Sequence, residues 1–434
     1  MSDFPSSKFE RGKIFAKTGL RVGSNYARHY MDTKIGKNPD KSELHKKTAS
    51  EVFGEFTKLR GTALKIAQSM SMDQGFLPDE FADIMTQSQY KVPPINKALV
   101  RSVIKQELGK YPEMIFKSFD TEAIAAASIG QVHKAVLKDG TIVAVKIQYP
   151  GVRNTISSDL SIARSIFRRL VKSGSDIDGY FDEVRDTLLL ETDYIYEGNQ
   201  IRNFHNRFSG EQFVTPEWIE DYSTERLLTM TFIEGCHLNE FIGSNPSQES
   251  RNHYGQLLWD FFHNQVEENK EIHADTHPGN FLFTPVGKLG IVDFGCVKKF
   301  PDEFFYNYLN LLPTHLEQDE EAIIRLYQKM DILRKDPGTD DAEKQYFEFC
   351  RNYGYTFALP YKEDTFDFGD PVFEEQIKSY TKNAPISNEP RGSKHFIYST
   401  RVHLGLYFLL MKLKAQISTK KSIEIVKKAL VSCN

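Results

Sequence analysis

The segment that most constrains the fold is HADTHPGN, residues 273–280, followed by IVDFG at residues 291–295. Asn280 follows Asp275 by five residues and Asp293 follows it by eighteen, across a stretch that is typical of a β-hairpin. Such oxygen ligands can converge on a divalent cation, and phosphoryl transfer needs them plus a carboxylate near the nucleophile. We expect Asn280 and Asp293 to bind Mg²⁺ and Asp275 to act at the nucleophile. The alternative is that both aspartates are turn residues in a solvated loop.

An alanine-rich loop, AIAAASIGQVHKA, lies upstream and leads through a predicted hairpin to Lys146 on the third strand. In kinases a loop GxGxxGxV covers the phosphates of ATP, and a strand lysine follows its valine. Val132 and Lys146 have the matching spacing of fourteen residues, but Ala125 and Ala127 occupy the first two glycine positions and Gly130 the third. Alanine lacks the freedom of glycine at positive φ, so this loop should close less tightly over the phosphates. The alternative is an exposed hairpin lysine beside an alanine-rich helix start.

Composition and charge indicate which partners and which cell compartment to expect. The chain has 434 residues and a net charge of −4, so no nucleic-acid partner is expected. Its four cysteines have no CxxC or metal-type spacing, which predicts reduced thiols in the cytosol. The N-terminus has no apolar signal core, and Asp3 and Glu10 argue against a transit peptide. We expect a cytoplasmic protein, with peripheral membrane association left open.

The hydrophobic patterns predict three regions along the chain. Residues 1–115 are a helical extension, residues 116–234 a small β-rich lobe with an internal helical stretch over 154–208, and residues 235–434 a larger, mainly helical lobe. In the second region VHKAVL and TIVAVKIQ form the hairpin, and EQFVTPEWI and RLLTMTFI form a second strand pair. The apolar run at 402–411 is too short to cross a bilayer and predicts a buried helix.

These motifs together resemble the UbiB family of atypical, protein-kinase-like ATPases over residues 59–300. The resemblance implies an α+β, protein-kinase-like bilobal fold with an N-terminal helical extension, binding Mg-ATP between the lobes. The extension motif of the family, Lys-x-Gly-Gln, is matched with alanine in place of its glycine. The three family motifs correspond to Lys65-Ile66-Ala67-Gln68, Ala125-Ala126-Ala127-Ser128 and Glu191-Thr192-Asp193.

The resemblance also implies roles for acidic and basic side chains. Lys65 should lie over the nucleotide pocket and pair with Glu191 and Asp193, and Glu197 should pair with Lys146. Helical spacing alone leaves these partners open, because Asp193 and Glu197 face the same way whereas Glu191 lies on another side of a straight helix. Without the resemblance, the three acidic residues would be read as a solvated helix face.

Two features of ordinary protein kinases are absent from the sequence. Ala274 occupies the position of an arginine, and the segment after Gly295 contains no APE motif and no room for a long activation segment. We therefore expect no peptide-docking platform. His277 stands where many kinases have a lysine; it is more typical of a loop-ordering histidine, although it lies two residues from Asp275 and could contact the γ-phosphate.

Residues 8–30 form a basic, amphipathic stretch that suggests a membrane-binding surface. The alternative is a helix that packs on the protein's own lobe and solvates its basic face. The family resemblance, which implies work on membrane-embedded isoprenoid lipids, adds support for a membrane surface but leaves both alternatives open. The partners that it implies beside ATP are an anionic membrane surface and isoprenoid lipids or lipid-biosynthesis proteins. The basic residues are Lys8, Arg11, Lys13, Lys17, Arg21 and Arg28.

The function predicted from these features is an atypical kinase-like ATPase with ATP and Mg²⁺ as cofactors. The hinge that faces the adenine is predicted at residues 230–235, with Met230 and Ile233 among the nucleotide-binding residues. By resemblance, the protein supports isoprenoid quinone (ubiquinone-type) biosynthesis or membrane lipid homeostasis. The alternatives are a small-molecule kinase and a nucleotide-gated, lipid-binding scaffold with little turnover.

Overall fold

The structure is a computed structural model, and it contains two compact units. The first comprises residues within Met1–Asn203 and Pro216–Phe232, and the second residues within Phe204–Thr215 and Ile233–Asn434. The residues that the structure describes are 8–35, 40–59, 95–126, 129–168, 177–268, 271–335, 340–382, 391–393 and 395–431.

Helices and strands are numbered in chain order. The helices are α1 (Lys8–Lys34), α2 (Lys41–Leu59), α3 (Lys97–Leu108), α4 (Pro112–Ile115), α5 (Val152–Phe167), α6 (Ile177–Glu191), α7 (Tyr194–Phe208), α8 (Leu238–Gly243), α9 (Gln248–Glu268), α10 (Asp302–Glu317), α11 (Glu320–Lys329), α12 (Asp341–Ala358), α13 (Pro371–Lys382), α14 (Phe396–Leu413) and α15 (Lys420–Val431). The strands are β1 (Ser118–Phe119), β2 (Ala125–Ala126), β3 (Gly130–Val136), β4 (Ile142–Gln148), β5 (Phe213–Val214), β6 (Leu227–Thr231), β7 (Glu271–His273), β8 (Phe281–Phe283), β9 (Leu289–Ile291), β10 (Val297–Lys299), β11 (Thr365–Asp367) and β12 (Gln416–Ser418).

The sheet of the first unit runs in the order β1-β3-β4-β6, with β2 also paired to β3. The predicted hairpin is confirmed as β3 and β4, whose antiparallel register places Val132 opposite Lys146. Lys146 is on the fourth strand of the chain rather than the third, because the short strand β1 precedes the alanine-rich loop. Helix α3 covers the sheet and shares its apolar core. The core residues from both elements include Val100, Val103, Ile104, Val143, Val145 and Ile147.

The second predicted strand pair is right in its second half and wrong in its first. Strand β6 pairs with β4, whereas β5 pairs in parallel with β9 of the second unit. The end of the first predicted strand does pair with β6: Trp218 bridges Met230, Ile219 N–H donates to the carbonyl of Thr229 at 2.9 Å, and Thr231 N–H donates to the carbonyl of Glu217 at 3.0 Å. The physical reason is Pro216, which has no backbone N–H to donate and so divides the apolar run into two pieces.

Within the described part of the stretch over 154–208, residues 154–168 and 177–208, the structure has three helices, α5 to α7. The break lies at Thr192 and Asp193, between the end of α6 and the start of α7. The straight-helix comparison of Glu191 with Asp193 and Glu197 is therefore wrong: Glu191 ends one helix, and Asp193 precedes the next.

The second unit contains the predicted hairpin of HADTHPGN and IVDFG as β8 and β9. Strand β10 pairs with β7, and α10 begins at Asp302, so the segment after Asp293 is short, as expected. The apolar run at 402–411 lies in α14 and is mostly buried, which confirms the predicted helix. Among the described residues, no helix combines the length and hydrophobicity needed to traverse a bilayer.

Candidate active site

A buried ion pair in the first unit joins β4 to α7. Lys146 Nζ donates to Glu197 Oε1 at 2.7 Å and to Oε2 at 2.9 Å. Glu197 is fully buried, and the ring of Tyr194 lies 5.3 Å from the same ammonium. A buried charge is tolerated only with a partner, so this pair sets the position of both side chains. The contact is the one that the family resemblance implies; the catalytic roles of the two residues stay predictions.

One set of hydrogen bonds caps the N-terminus of α7, and two further hydrogen bonds tie it to the segment before β6 and to β4. Asp193 Oδ1 accepts from the backbone N–H groups two and three residues further on, at 3.1 and 3.0 Å, and so caps the helix. The backbone N–H of Tyr194 donates to the carbonyl of Glu225 at 3.2 Å. Gln148 Nε2, two residues after Lys146, donates to the carbonyl of Thr192 at 3.0 Å. Asp193 therefore has a structural role that the sequence motif alone did not reveal.

The alanine-rich loop begins as a strand. Ala125 and Ala126 pair with Val132 and Gln131 of β3, so the alternative of a helix start is wrong here. At Gly130, a Cβ would lie 2.5 Å from the carbonyl oxygen of Ile147 and 2.9 Å from the hydroxyl of Tyr194. Glycine is therefore required at this position by the close approach of β4 and α7.

His273, the first residue of HADTHPGN, links that motif to IVDFG within the second unit. Its Nε2 lies 2.5 Å from the carbonyl oxygen of Asp293, to which it donates as the Nε2–H tautomer, and its backbone N–H donates to Gln265 Oε1 at 2.7 Å. The side chain of His273 is completely buried. Sequence reasoning missed both His273 and Gln265 as site residues, although the position of a histidine at the start of the motif was a usable signal.

The β8–β9 hairpin brings the two expected metal ligands together. Phe281 and Ile291 are directly opposite in its register, and the backbone N–H of Val292 donates to the carbonyl of Asn280 at 3.1 Å. Asn280 thus lies next to the residue that precedes Asp293. Its Nδ2 donates to the carbonyl of Asp275 at 3.2 Å, which orients the amide. The amide Oδ1 is then the atom of Asn280 that can accept a metal ion.

The loop between β7 and β8 is ordered by its own side chains. Asp275 Oδ1 accepts from the backbone N–H of His277 at 3.2 Å, and His277 Nδ1 accepts from the backbone N–H of Gly279 at 3.0 Å. His277 therefore has the loop-ordering contact that its position suggested. A role at the γ-phosphate stays a prediction.

The chemistry of these side chains suits magnesium. Mg²⁺ binds proteins through one or two carboxylates and takes its remaining ligands from phosphates and water. Asn280 and Asp293 offer such a partial set of hard oxygens. Within the described part of the chain, no group of three His, Cys, Asp or Glu side chains is arranged to hold a metal ion by itself.

The remaining predicted residues are placed as follows. Met230 is buried in β6 opposite Ala144, and the chain passes from the first unit to the second just before Ile233, within the predicted hinge. Ile233 packs beside Gly290 of β9. Glu191, the last residue of α6, is 8% exposed. Four predicted residues lie outside the described part of the chain: Lys65, Gln68, Ala127 and Ser128.

Comparison with known proteins gives several relatives. The probable serine/threonine-protein kinase abkA of Dictyostelium discoideum is 27% identical over 96% of this chain and 78% of its own length. The atypical kinase COQ8, mitochondrial, of Saccharomyces cerevisiae is 28% identical over 87% of this chain and 76% of its own length. The chloroplastic protein ACTIVITY OF BC1 COMPLEX KINASE 3 of Arabidopsis thaliana is 30% identical over 74% of this chain, which spans 47% of that relative. The compartments in these names differ from the cytosol, so the cytoplasmic location stays a prediction.

A solved structure, the complex of Rv3197 with erythromycin from Mycobacterium tuberculosis, has a TM-score of 0.62 and 26% identity, over 90% of this chain and 98% of that one. The sequence model of the ABC1 atypical kinase-like domain matches residues 87–327, more than half of the chain. Both matches confirm the predicted kinase-like α+β fold. The chain belongs to the UbiB family of atypical kinase-like proteins and carries its ABC1 domain.

Proposed function

We propose that this protein is an atypical kinase-like ATPase that binds Mg-ATP. The observation that carries the proposal is the buried ion pair of Lys146 and Glu197, because a buried lysine held by a carboxylate is the arrangement that kinases use on the α- and β-phosphates. Membership of a kinase-like family supports it.

Each side chain has one task in this proposal. Glu197 orients the ammonium of Lys146, which contacts phosphate oxygens as a point charge. Asn280 and Asp293 hold Mg²⁺, which when bound neutralises charge on the phosphates. Asp275 accepts the proton of the attacking hydroxyl or water. The backbone near Met230 and Ile233 faces the adenine, and the loop from Ala125 to Val132 covers the phosphates.

The acceptor of the phosphoryl group is proposed to be water or a small molecule. The short segment between Asp293 and α10 supports this, since it leaves out the part of a kinase that docks peptides. The competing functions are a small-molecule kinase and a nucleotide-gated, lipid-binding scaffold. Steady-state phosphate release with and without liposomes separates the ATPase from the scaffold, because a scaffold would bind nucleotide with little release.

A membrane surface is the proposed setting, with isoprenoid quinone biosynthesis or lipid homeostasis as the role. Helix α1 packs against α2 and α5, and Val22 of α1 is buried. Leu20, Met31 and Ile35 are 76, 63 and 70% exposed, and Arg21 and Arg28 are exposed as well. An apolar stripe flanked by cations suits an anionic bilayer surface.

Thermal unfolding with nucleotide tests the proposal. Mg-ADP should raise the melting temperature of the parent, because a ligand that binds only the folded state stabilises it. Asp293→Asn should remove most of that shift, and a matched change at an exposed carboxylate, Glu303→Gln, should keep it. A parent protein without any shift, or an Asp293→Asn variant that shifts as much as the parent, would contradict the assignment.

A further inference from the structure

Trp218 lies directly on the helix that carries Glu197. A Cβ built on Gly198, the next residue of α7, would lie 2.3 Å from Cε2 and 2.7 Å from Nε1 of the Trp218 indole. No side chain fits in that space. A helix-interior glycine is about 1 kcal/mol less favourable than alanine, so its presence at this position is explained by the contact rather than by helix formation.

The indole is held from both ends. The backbone of Trp218 bridges Met230 of β6, and the backbone N–H of the following residue, Ile219, donates to the carbonyl of Thr229 at 2.9 Å. On the helix, the guanidinium of Arg202 lies 4.6 Å from the Trp218 ring and donates to Glu220 at 2.6 Å. Gly198 and Arg202 are four residues apart, so they present the same face of α7 to the indole.

We propose that Trp218 is a positioning residue for the candidate active site: its indole, seated on Gly198 and covered by Arg202, sets the distance between α7 and the sheet at which Glu197 reaches Lys146. The consequence for nucleotide chemistry rests on the proposed function. In protein kinases, movement of the equivalent helix controls activity. Here that movement would have to break the contact between Gly198 and a tryptophan anchored to β6.

The role of Trp218 is one of shape. Within the described part of the chain, its buried indole N–H has no hydrogen-bond partner, which leaves the flat aromatic face as the feature that α7 uses. Trp218→Phe should therefore preserve the position of the helix, whereas Trp218→Ala should not.

The test measures acylation of Lys146 by a small amine-reactive reagent under native conditions, read by peptide mass spectrometry, with exposed Lys138 as the internal reference. Lys146 should be protected in the parent and in Trp218→Phe. Gly198→Ala and Trp218→Ala should each raise its labelling rate relative to Lys138 by at least about tenfold, which corresponds to about 1.4 kcal/mol. The double variant should label no faster than Trp218→Ala alone, because the smaller side chain leaves room for the new Cβ.

Arg202→Gln, which adds no steric clash, keeps the test usable if Gly198→Ala fails to fold, and it should give a smaller increase in labelling. Unchanged protection of Lys146 in both Trp218→Ala and Arg202→Gln, or additive effects in the double variant, would overturn the proposal. Mg-ADP thermal shifts, measured in parallel, keep the two proposals apart. A parent without any shift, but with labelling that depends on Trp218, defeats the proposed function and leaves the positioning role intact.

Discussion

The two units each bury an ion pair, and the pairs differ in kind. In the first unit, an ammonium meets a carboxylate, Lys146 with Glu197, with the two side chains 8% and 0% exposed. In the second, a guanidinium meets a carboxylate, Arg391 with Glu343, at 12% and 4% exposure. Arg391 reaches both oxygens of Glu343, at 2.8 and 2.6 Å, and lies 4.6 Å from the ring of Tyr346.

The Arg391 pair acts as a fixed crosslink of the fold, whereas Lys146 carries a charge that can change its partner. A planar guanidinium that donates in parallel to both carboxylate oxygens is committed to one geometry. Glu343 also accepts from the backbone N–H of Arg334 at 3.0 Å, which ties α12 to the preceding loop. An ammonium is a compact charge with three rotatable donors, so it can hydrogen-bond a carboxylate and a phosphate at the same time. Arg391 therefore serves the fold, and Lys146 is suited to a ligand.

Removing one partner of either ion pair should give the largest loss of stability. Lys146→Met and Arg391→Met each leave a carboxylate buried without its partner, which costs about 3–5 kcal/mol of unfolding free energy. Chemical denaturation measures that loss. Only Lys146→Met should also abolish the Mg-ADP thermal shift.

The matched control replaces both partners, Lys146→Met with Glu197→Met, and should recover much of the stability but none of the nucleotide binding. Loss of the Mg-ADP shift in Arg391→Met, under conditions in which the variant is folded, would show that the two pairs are not separable in this way.

Lowering the pH should distinguish the contribution of the Arg391 pair to stability from that of a network of neutral histidines and tyrosine in the same unit. His263 and His403 each hydrogen-bond the hydroxyl of Tyr361, at 2.8 and 3.2 Å. Burial lowers the pKa of His263 to about 3 and that of His403 to about 4. As the pH falls, the histidines therefore gain protons in the unfolded chain before they do in the folded one. The contribution of each histidine to the free energy of unfolding is complete above about pH 6.5. It decreases below that pH, by roughly 2 kcal/mol per histidine at pH 5.

The hydrogen bond from Arg391 lowers the pKa of Glu343, so that pair stabilises the protein above the ordinary carboxylate range and is lost only as the pH falls below it. Urea unfolding between pH 7.5 and 5 should thus report buried histidines and not the Arg391 pair; burial also lowers the pKa of His315 and of His133, so these two add to the slope beside His263 and His403. His263→Gln and His403→Gln should each flatten the pH dependence. An unaltered slope in the variant with both changes would remove the histidine network from the explanation.

Replacing Arg391 by lysine tests how much the bidentate geometry of this pair contributes to stability. Arg391→Lys keeps the charge but gives up the parallel geometry, and should lower the unfolding free energy by about 1.5 kcal/mol, the worth of one hydrogen bond to a charged group. Its Mg-ADP shift should equal that of the parent. Equal stability of parent and variant in denaturant would mean that the bidentate geometry adds nothing.

The smallest free-energy effect per residue is expected at exposed charges. Salt screens exposed charges strongly and buried ion pairs much less. Anionic liposomes should bind α1 with about 1 kcal/mol per basic residue near the surface. Lys17→Glu with Arg28→Glu, both at exposed positions of α1, should weaken flotation at low salt and leave unfolding unaffected. If flotation survives these changes and 0.5 M salt alike, contact through α1 is not the mode of membrane association.

Local patterns were enough to predict several elements. The hairpin of β3 and β4, the short segment after Asp293 and the helix over 402–411 follow from turn residues and hydrophobic periodicity that act within a few residues. The motif around Asp275 and Asn280 was equally visible, because its meaning depends on spacing along the chain. The resemblance then supplied the partner of Lys146, which spacing had left open.

Other features depended on contacts between residues far apart in sequence. The division of one apolar run at Pro216, and the pairing of β5 with β9, were decided by which strand edge each half could reach. His273 and Gln265 were missed because their importance comes from a carbonyl and an N–H that only the folded chain brings within hydrogen-bond distance. The same holds for Trp218 and Gly198, twenty residues apart.

The sequence by itself determined the family, the residues proposed to hold ATP and Mg²⁺, and most local elements, since these depend on short-range spacing and composition. Tertiary structure alone decided that Asp193 caps the helix bearing Glu197 and that Trp218 sets where this helix lies. The physical reason is that burial and close packing depend on long-range contacts, and these arise only when α7 and the sheet exclude water from the space between them.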